Sequence, residues 1–428
     1  MQRPPSEPTR TIDATRLYDI QIVDTHDASH DAAVGGCFLE PPRSGGEIGW
    51  LQNYRVLRKL GHGGMGIVYL AEDVHLRRQV ALKVMHQCLV SDLAARKRFL
   101  REAQAMAAVQ HMHVATVFNV GMTPNHDHKE VPYLAMQFLE GETLQDRLLR
   151  KPAFTFAEVL RIGREIAEGL GAAHAKGMVH RDVKPTNIWL VRPQGSVKIL
   201  DFGLAQLLEC TSTVSSLGQI IGTLHFMSPE QACGDSVDAR SDLFSLGCVL
   251  YAMLARKLPF EAKTPTEVLK KLVEEEPVAL QDCVPGVPLA LGQLVHSLLA
   301  KLPSDRPFDA VTVQTNLAKL ESECRRETDD SSTTTGKEFD LGSTVPLANP
   351  QTVAGASWGS LSSSLRDWPS MRIALRCRRD RYLERRRFLI WTAMAAAVGI
   401  GTALYLIGRE AGRRNPAATS SGTNKMRP

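Results

Sequence analysis

Apolar side chains recur in two different patterns along the middle of this 428-residue chain. Short apolar runs at 54–60 and 80–82 are typical of strands, whereas apolar positions three and four residues apart at 93–109 and 159–174 indicate amphipathic helices. The stretch 243–254 is apolar nearly all round, which predicts a buried helix. This order predicts an α+β domain in which strands come first and helices follow.

Both flanks of this middle part lack such patterns. Residues 1–53 are rich in Pro, Ser, Thr, Asp, His and Gly without sustained periodicity, and we interpret them as a flexible arm. Residues 322–387 begin as a Ser-, Thr-, Gly- and Pro-rich linker and end in an arginine-rich stretch. The folded domain is therefore expected to cover residues 54–321.

A run of twenty uncharged, mainly apolar residues follows at 388–407. At about 1.5 Å per residue, a helix of this length spans a bilayer core of about 30 Å. A buried helix in a soluble protein is the alternative. More arginine precedes the run than follows it in the short tail 408–428, so we expect a single-pass cell-membrane protein with its folded domain in the cytoplasm. Gly399 and Ala403 are spaced as in helix pairs, which points to a homodimer.

The positive charge of the chain is concentrated in one place. Residues 372–387 contain eight Arg and two acids, a net of +6, so the chain's formal charge of +5 leaves −1 for the remainder. A local basic stretch beside a span favours contact with membrane lipid and argues against nucleic acid as a partner. The eight Cys include no C-x-x-C pair, which favours reduced thiols over disulfides or a zinc site.

The chemically distinctive segments are HRDVKPTN, which begins at His180, and DFG, which begins at Asp201. They supply carboxylate, amide and ammonium groups suited to phosphoryl transfer, in which a protein orients a hydroxyl and holds divalent cations through oxygen ligands. Asp182 would accept the hydroxyl proton, and Lys184 would lie near the transferred phosphate. Asn187 and Asp201 would bind Mg²⁺.

A glycine-rich segment lies upstream of these motifs. Gly61, Gly63, Gly66 and Val68 match the pattern G-x-G-x-x-G-x-V. Dinucleotide-binding folds share the glycines, but they begin a helix after the third one, whereas here a strand-like run resumes at Val68. The segment therefore predicts a hairpin whose backbone N–H groups cover phosphates.

A lysine and a glutamate complete the expected machinery. Lys83 ends an apolar strand, and Phe99, Glu102 and Met106 share one stripe of the helix predicted at 93–109. An edge-strand lysine and a solvated glutamate are the simpler interpretation of the two residues. Because a carboxylate on an apolar face is costly unless paired, we expect Glu102 to pair with Lys83.

Taken together and in this order, the motifs resemble those of the Hanks-type (eukaryotic-like) serine/threonine protein kinases, bacterial membrane-anchored type. The resemblance covers roughly residues 54–321. It implies a two-lobed protein-kinase fold, with a small β-rich N-lobe and a larger, mainly helical C-lobe, plus one transmembrane helix. It also implies ATP and Mg²⁺ as cofactors, with Mn²⁺ as an alternative ion, and protein substrates with Ser or Thr hydroxyls.

The resemblance also implies a catalytic set and a nucleotide-binding set. The catalytic residues would be Asp182, Lys184, Lys83 and Glu102. The nucleotide would contact Leu60, Gly61, Gly63, Gly64, Gly66, Val68, Ala81, Lys83, Gln137, Leu139 and Trp189. Two of these depart from the family: Gln137 stands where an acid is usual, and Trp189 stands under the adenine where Leu or Met is usual.

Regulation is expected in the segment from Asp201 to Glu230, which ends in Ser-Pro-Glu, similar to the family's A-P-E. Thr and Ser crowd positions 211–216, and by resemblance Arg181 pairs with a phosphate there, so we predict switching by autophosphorylation. Other expected supports are Glu230 with Arg306, and Asp242 against the catalytic loop. A pseudokinase or nucleotide-binding scaffold is the alternative function, and it predicts loss of a key residue such as Lys83.

Overall fold

The computed structural model describes residues 38–63, 66–125, 128–150, 152–202 and 224–331, together with 376, 377, 379, 380 and 384. These residues form a small lobe built on a sheet and a larger lobe built mainly of helices, each with its own buried apolar cluster. The α+β, two-lobed prediction is confirmed.

The small lobe is a six-stranded antiparallel sheet in the order β1-β2-β3-β4-β6-β5. Its strands are β1 (Gly49–Leu51), β2 (Tyr54–Gly63), β3 (Gly66–Asp73), β4 (Arg78–Met85), β5 (Val117–Pro124) and β6 (Glu130–Gln137). Helix α1 (Gln87–Val90) leads into α2 (Leu93–Ala107), whose Phe99, Ala103 and Met106 are buried. The helix expected at 93–109 is therefore confirmed, two residues shorter.

The prediction of a flexible arm over residues 1–53 is wrong for residues 38–53. Leu51 pairs with Tyr54 across β1 and β2, and Glu40 forms a bridge with Trp50. The carboxylate of Glu47 accepts hydrogen bonds from the Trp50 indole at 2.8 Å and from the backbone N–H of Ser44 at 2.9 Å. Strand pairing and polar turn contacts of this kind produce order without hydrophobic periodicity, which explains the error.

The larger lobe begins with α3 (Leu144–Leu149) and α4 (Phe156–His174) and contains a three-stranded antiparallel sheet, β7-β8-β9. Its strands are β7 (Gly141–Thr143), β8 (Ile188–Val191) and β9 (Ser196–Ile199). The later helices are α5 (Pro229–Cys233), α6 (Ala239–Ala255), α7 (Pro265–Glu274), α8 (Leu280–Cys283), α9 (Leu289–Leu298) and α10 (Ala310–Ser331). Helix α4 packs against α6, α10 and β9 and so joins the core to the short sheet.

Local sequence explains where the two central helices begin and how they are buried. Thr155 caps α4 and exchanges hydrogen bonds with Glu158 in a capping box. Asp238 caps α6 by accepting from the N–H of Arg240 at 2.8 Å. Every residue of α6 from Ser241 to Met253 is buried, as its nearly uniform apolar pattern predicted.

Several expectations fall on residues outside the described part of the chain. They concern Gly64, the hydroxyl cluster at 211–216, the linker from 332 to 375 and the apolar run at 388–407. The predicted start of the linker at 322 is wrong, because α10 continues through residues 322–331. Within the described residues, no helix combines the length and apolar character needed to cross a membrane.

Candidate active site

The buried carboxylate of Asp242 holds the backbone of the catalytic loop in place. Asp242, in the first turn of α6, is fully buried and accepts the backbone N–H of His180 and of Arg181, each at 2.7 Å. His174 Nε2 lies 2.8 Å from the same carboxylate. These bonds hold Arg181 at a φ of +67°, a left-handed conformation that costs energy for a residue with a side chain. The expected role of Asp242 is confirmed.

Three of the predicted site residues meet directly. Lys184 Nζ lies 3.1 Å from Asp182 Oδ2, and Asn187 Nδ2 donates to the same oxygen at 3.0 Å and to the Asp182 backbone oxygen at 2.8 Å. The short 3-10 turn Pro185–Asn187 brings the amide back over the carboxylate. The loop therefore orients one carboxylate with a cation beside it, while the amide oxygen of Asn187 lies outside these bonds.

Strand pairing brings Asp201 to the same place. Ile188 pairs with Ile199 across β8 and β9, and the N–H of Leu200 donates to the Asn187 carbonyl at 2.8 Å. The chain then turns at Asp201 with a φ of +53°. Asn187 before one strand and Asp201 after the other therefore lie at one end of a hairpin.

Lys83 reaches across the cleft to Asp201 and not to Glu102. Its Nζ lies 2.8 Å from Asp201 Oδ2, and the lysine side chain is 8% exposed. Among the described residues, Glu102 makes no ion pair within 4.0 Å, so the predicted Lys83–Glu102 pair is wrong for this structure. The physical reason is competition: the Asp201 carboxylate holds the ammonium that Glu102 would need.

Glu102 instead lies in a half-buried position with basic neighbours. Burial raises the pKa of its carboxyl to about 7, against the opposing charges of Arg181, Arg101, Arg98 and Lys83. Glu102 Oε2 and Arg181 Nε are both buried, and neither finds a hydrogen-bond partner within the described part of the chain. Both groups are thus available for new partners.

The glycine-rich segment forms the predicted hairpin, in that β2 pairs with β3 on either side of residues 64 and 65. Gly61 and Gly63 end β2, and Gly66 begins β3, where a Cβ would lie 2.1 Å from the Val84 carbonyl oxygen. Val68 pairs with Lys83 across β3 and β4. The absence of a side chain at Gly66 therefore lets the hairpin lie close against β4.

The segment that connects the two lobes begins where β6 ends. Ala81 on β4 pairs with Met136 on β6, and β6 ends at Gln137. The N–H of Gln137 donates to the Thr116 carbonyl at 2.8 Å, which fixes the end of β6 against the neighbouring chain. Leu60, on β2, packs against the small-lobe core as a partly buried side chain.

Trp189 lies on strand β8 of the larger lobe. It pairs with Thr143, and its indole nitrogen would be 2.8 Å from a Cβ at Gly141, whose φ is +154°. The indole N–H is buried without a partner among the described residues. Glycine at 141 thus accommodates the large ring at this position.

Comparison with known proteins identifies the arrangement. The family model described as "Protein kinase domain" matches residues 54–316. The chain belongs to the protein kinase family. The serine/threonine-protein kinase pkn2 of Myxococcus xanthus is 40% identical over 275 residues, which are 63% of this chain and 32% of that protein. The serine/threonine-protein kinase PknB of Mycobacterium leprae is 37% identical over 263 residues, 61% of this chain and 42% of that protein.

A solved structure agrees with this assignment. The crystal structure of the Mycobacterium tuberculosis PknI kinase domain superposes with a TM-score of 0.50 and 25% identity, covering 62% of this chain and 96% of that one. The resemblance to Hanks-type bacterial kinases is therefore confirmed. The chain spans less than half the length of the two curated relatives that it matches.

The kinase site fits the nucleotide and the divalent ion that the family uses. Asp201 Oδ1 is buried and finds no hydrogen-bond partner among the described residues, and Asn187 lies at the same end of the β8–β9 hairpin. Carboxylate and amide oxygens are the ligands that Mg²⁺ prefers. Asn187 and Asp201 would hold the ion, whose charge would neutralise phosphate oxygens.

A buried ion pair joins Glu230 to Arg306 in the large lobe of the kinase domain. Arg306 donates to both oxygens of Glu230, at 2.7 and 2.8 Å, and Ser241 Oγ donates to Glu230 Oε1 at 2.5 Å. Burial alone would raise the pKa of Glu230, but the hydrogen bonds and charge of Arg306 lower it. The predicted Glu230–Arg306 pair is confirmed.

Sequence reasoning missed two residues that support the catalytic loop. Gln231 Nε2 donates to the Arg181 carbonyl at 2.8 Å, and His174 contacts Asp242. Gln231 also forms a capping box with Ser228. The Ser-Pro-Glu-Gln sequence carries that capping signal, so Gln231 could have been singled out; the role of His174 depends on tertiary packing.

Proposed function

We propose that this protein is an ATP-dependent serine/threonine protein kinase that transfers the γ-phosphate of ATP to Ser or Thr hydroxyls of proteins in signal transduction. The observation that carries the proposal is the contact of Asn187 and Lys184 with Asp182 beside the Lys83–Asp201 pair. A pseudokinase would be expected to lack one of these groups, and all are present. ³²P incorporation from ATP into casein by the full chain tests it, with Asp182→Asn as the control.

Each group has a task in that transfer. Asp182 orients the substrate hydroxyl and accepts its proton as the oxygen attacks phosphorus. Lys184, 3.1 Å from Asp182, offsets the charge that develops on the transferred phosphate. Lys83 would bind the other phosphates of ATP. Mg²⁺ bound to the nucleotide, or Mn²⁺ in its place, supplies charge neutralisation at the phosphates.

Activation would require an exchange of partners at Lys83. With Asp201 engaged in metal binding, the Lys83 ammonium would become available to Glu102 on α2, whose carboxylate has no ion-pair partner among the described residues. Phosphorylation within 211–216 would supply an anion to pair with Arg181, whose Nε has no hydrogen-bond partner among the described residues. Alanine at Thr211, Ser212, Thr213, Ser215 and Ser216 together should then remove most of the activity; unchanged activity would refute autophosphorylation as the switch.

The chain would be held at the cell membrane by residues 388–407, with the kinase domain in the cytoplasm. The support is the uncharged run of twenty residues and the arginines that precede it, which also suit anionic membrane lipid. Gly399 and Ala403 favour a homodimer. Carbonate extraction of membranes tests the anchor: an integral protein stays with the membrane fraction, and release into the wash would exclude it.

A further inference from the structure

The basic stretch that follows the linker makes contact with the large lobe of the kinase domain. Arg376 Nε lies 3.3 Å from Asp235 Oδ1, and Arg379 Nη1 forms an ion pair with Asp235 Oδ2. Asp235 lies 141 and 144 positions away in sequence, so the contact is tertiary. Each oxygen of one carboxylate is thus held by a separate arginine.

The two arginines differ in how deeply they are buried. The Arg379 side chain is 16% exposed and Asp235 is 14% exposed, whereas Arg376 is 62% exposed. An exposed ion pair contributes about 0–1 kcal/mol, while an arginine taken out of water needs its carboxylate partner. Arg379 is therefore the anchor of the contact, and Arg376 lies at its rim.

The position of Asp235 connects the contact to the active site. Asp235 lies two residues after the end of α5, and its N–H donates to the Glu230 carbonyl at 2.9 Å. On the same helix, Gln231 holds the Arg181 carbonyl of the catalytic loop. Burial raises the pKa of the Cys233 thiol to about 11, and Arg379 and Asp235 are among the charges that act on it.

We propose that the basic stretch docks onto the kinase domain through Arg376 and Arg379, with Asp235 as the receptor in the large lobe and Arg379 as the anchor. The occupant is this chain's own basic stretch, because opposite charges meet and both carboxylate oxygens are engaged. Docking places Arg376 and Arg379 next to Asp235, which is hydrogen-bonded to Glu230 at the end of the activation segment.

Trypsin cleavage of the full chain in detergent tests the docking. The readout is the rate of cleavage at the Arg381–Tyr382 bond, followed by mass spectrometry, because trypsin must bind an extended stretch of chain around the bond, and that stretch includes Arg379. Arg379→Gln and Asp235→Asn should each raise the rate about fivefold, as expected for loss of a coupled pair. Arg376→Gln should raise it less than about twofold. A wild-type rate in Asp235→Asn, or equal effects of the two arginines, would overturn the proposal.

Two further measurements separate docking from damage to the fold. Asp282→Asn removes an exposed acid elsewhere in the large lobe and should leave the cleavage rate unchanged. Raising NaCl from about 0.05 to about 0.5 M should accelerate cleavage of the wild type but not of Asp235→Asn, since salt screens the ion pair. The combination Asp235→Arg with Arg379→Asp should restore slow cleavage. An identical salt response in both proteins would contradict docking through Asp235.

Discussion

Lys83 Nζ lies 2.8 Å from Asp201 Oδ2, and this pair occupies two groups that the proposed transfer uses separately. The lysine is needed for phosphates, and the aspartate for the metal ion. The pair also explains why Glu102 remains without an ion-pair partner in the described part of the chain. Under the proposed function, this is a resting arrangement, and activity would require Lys83 to change partner.

Glu102→Gln should stabilise the resting protein at alkaline pH. The folded-state pKa of Glu102, about 7, lies above the ordinary value of 4.5, so its ionisation is penalised in the folded state. The associated stability is present below pH 4.5 and is lost as pH rises through 7. After allowance for solvent screening, the variant should gain on the order of 1 kcal/mol in free energy of unfolding at pH 8 and much less at pH 5. Urea unfolding at both pH values measures this.

The same variant should lose kinase activity, because an amide cannot replace the charge that Lys83 needs from Glu102. Higher stability with lower activity is the signature of a residue that is unpaired at rest and paired in the active state. A variant that loses stability at pH 8 would show that the Glu102 carboxylate already has a stabilising partner.

Asp242→Asn should destabilise the large lobe strongly. Asp242 accepts two backbone N–H groups at 2.7 Å, and an amide at this position would turn a donor towards one of them. The expected loss in free energy of unfolding is about 3 kcal/mol. Asp238→Asn, four residues earlier on the same helix, is the control and should cost less than about 0.5 kcal/mol because Asn also caps helices well. Similar losses in urea unfolding would argue against the anchor.

Glu230 and Arg306 should behave as a coupled pair. Removing one partner leaves the other buried and uncompensated, so Glu230→Gln and Arg306→Met should each cost about 3–5 kcal/mol. The double variant should cost clearly less than their sum. Thermal unfolding of the four proteins in the cycle gives the coupling, and strict additivity would mean that the two side chains contribute independently.

Trp189→Leu should weaken nucleotide binding. If the indole stacks on adenine, its loss removes about 0.5–1.5 kcal/mol, which is about 2- to 13-fold in the Kd for ATP. Quenching of tryptophan fluorescence by ATP should also decrease. Trp50, on strand β1, is the control position, and Trp50→Phe should leave the Kd unchanged. Retention of full quenching in Trp189→Leu would place the ring away from the base.

Sequence reasoning located the catalytic centre because its members are close along the chain or carry a local signal. Asp182, Lys184 and Asn187 lie within six residues of one another, so a single loop brings them together. The pair Glu230–Arg306 was accessible through two separate family motifs. These contacts can be predicted without knowing how the two lobes are positioned relative to one another.

The errors concern choices that only tertiary structure decides. Two carboxylates, Glu102 and Asp201, compete for Lys83, and the winner depends on where α2 lies relative to the larger lobe. The edge strand β1 owes its order to pairing with β2. The contact of Arg379 with Asp235 joins a compositionally polar stretch to a distant loop. Hydrophobic periodicity and motif spacing do not show which of these residues contact one another in the folded protein.

Phosphosite mapping of the purified chain after incubation with ATP and Mg²⁺ tests the central claim most directly, because it reports activity, residue preference and the regulatory sites together. Wild-type protein should acquire phosphate on Ser or Thr, including positions within 211–216. Asp182→Asn, with an unchanged unfolding temperature, should acquire none. Equal phosphorylation of the two proteins, or an unmodified wild type, would contradict the assignment of phosphoryl transfer to this site.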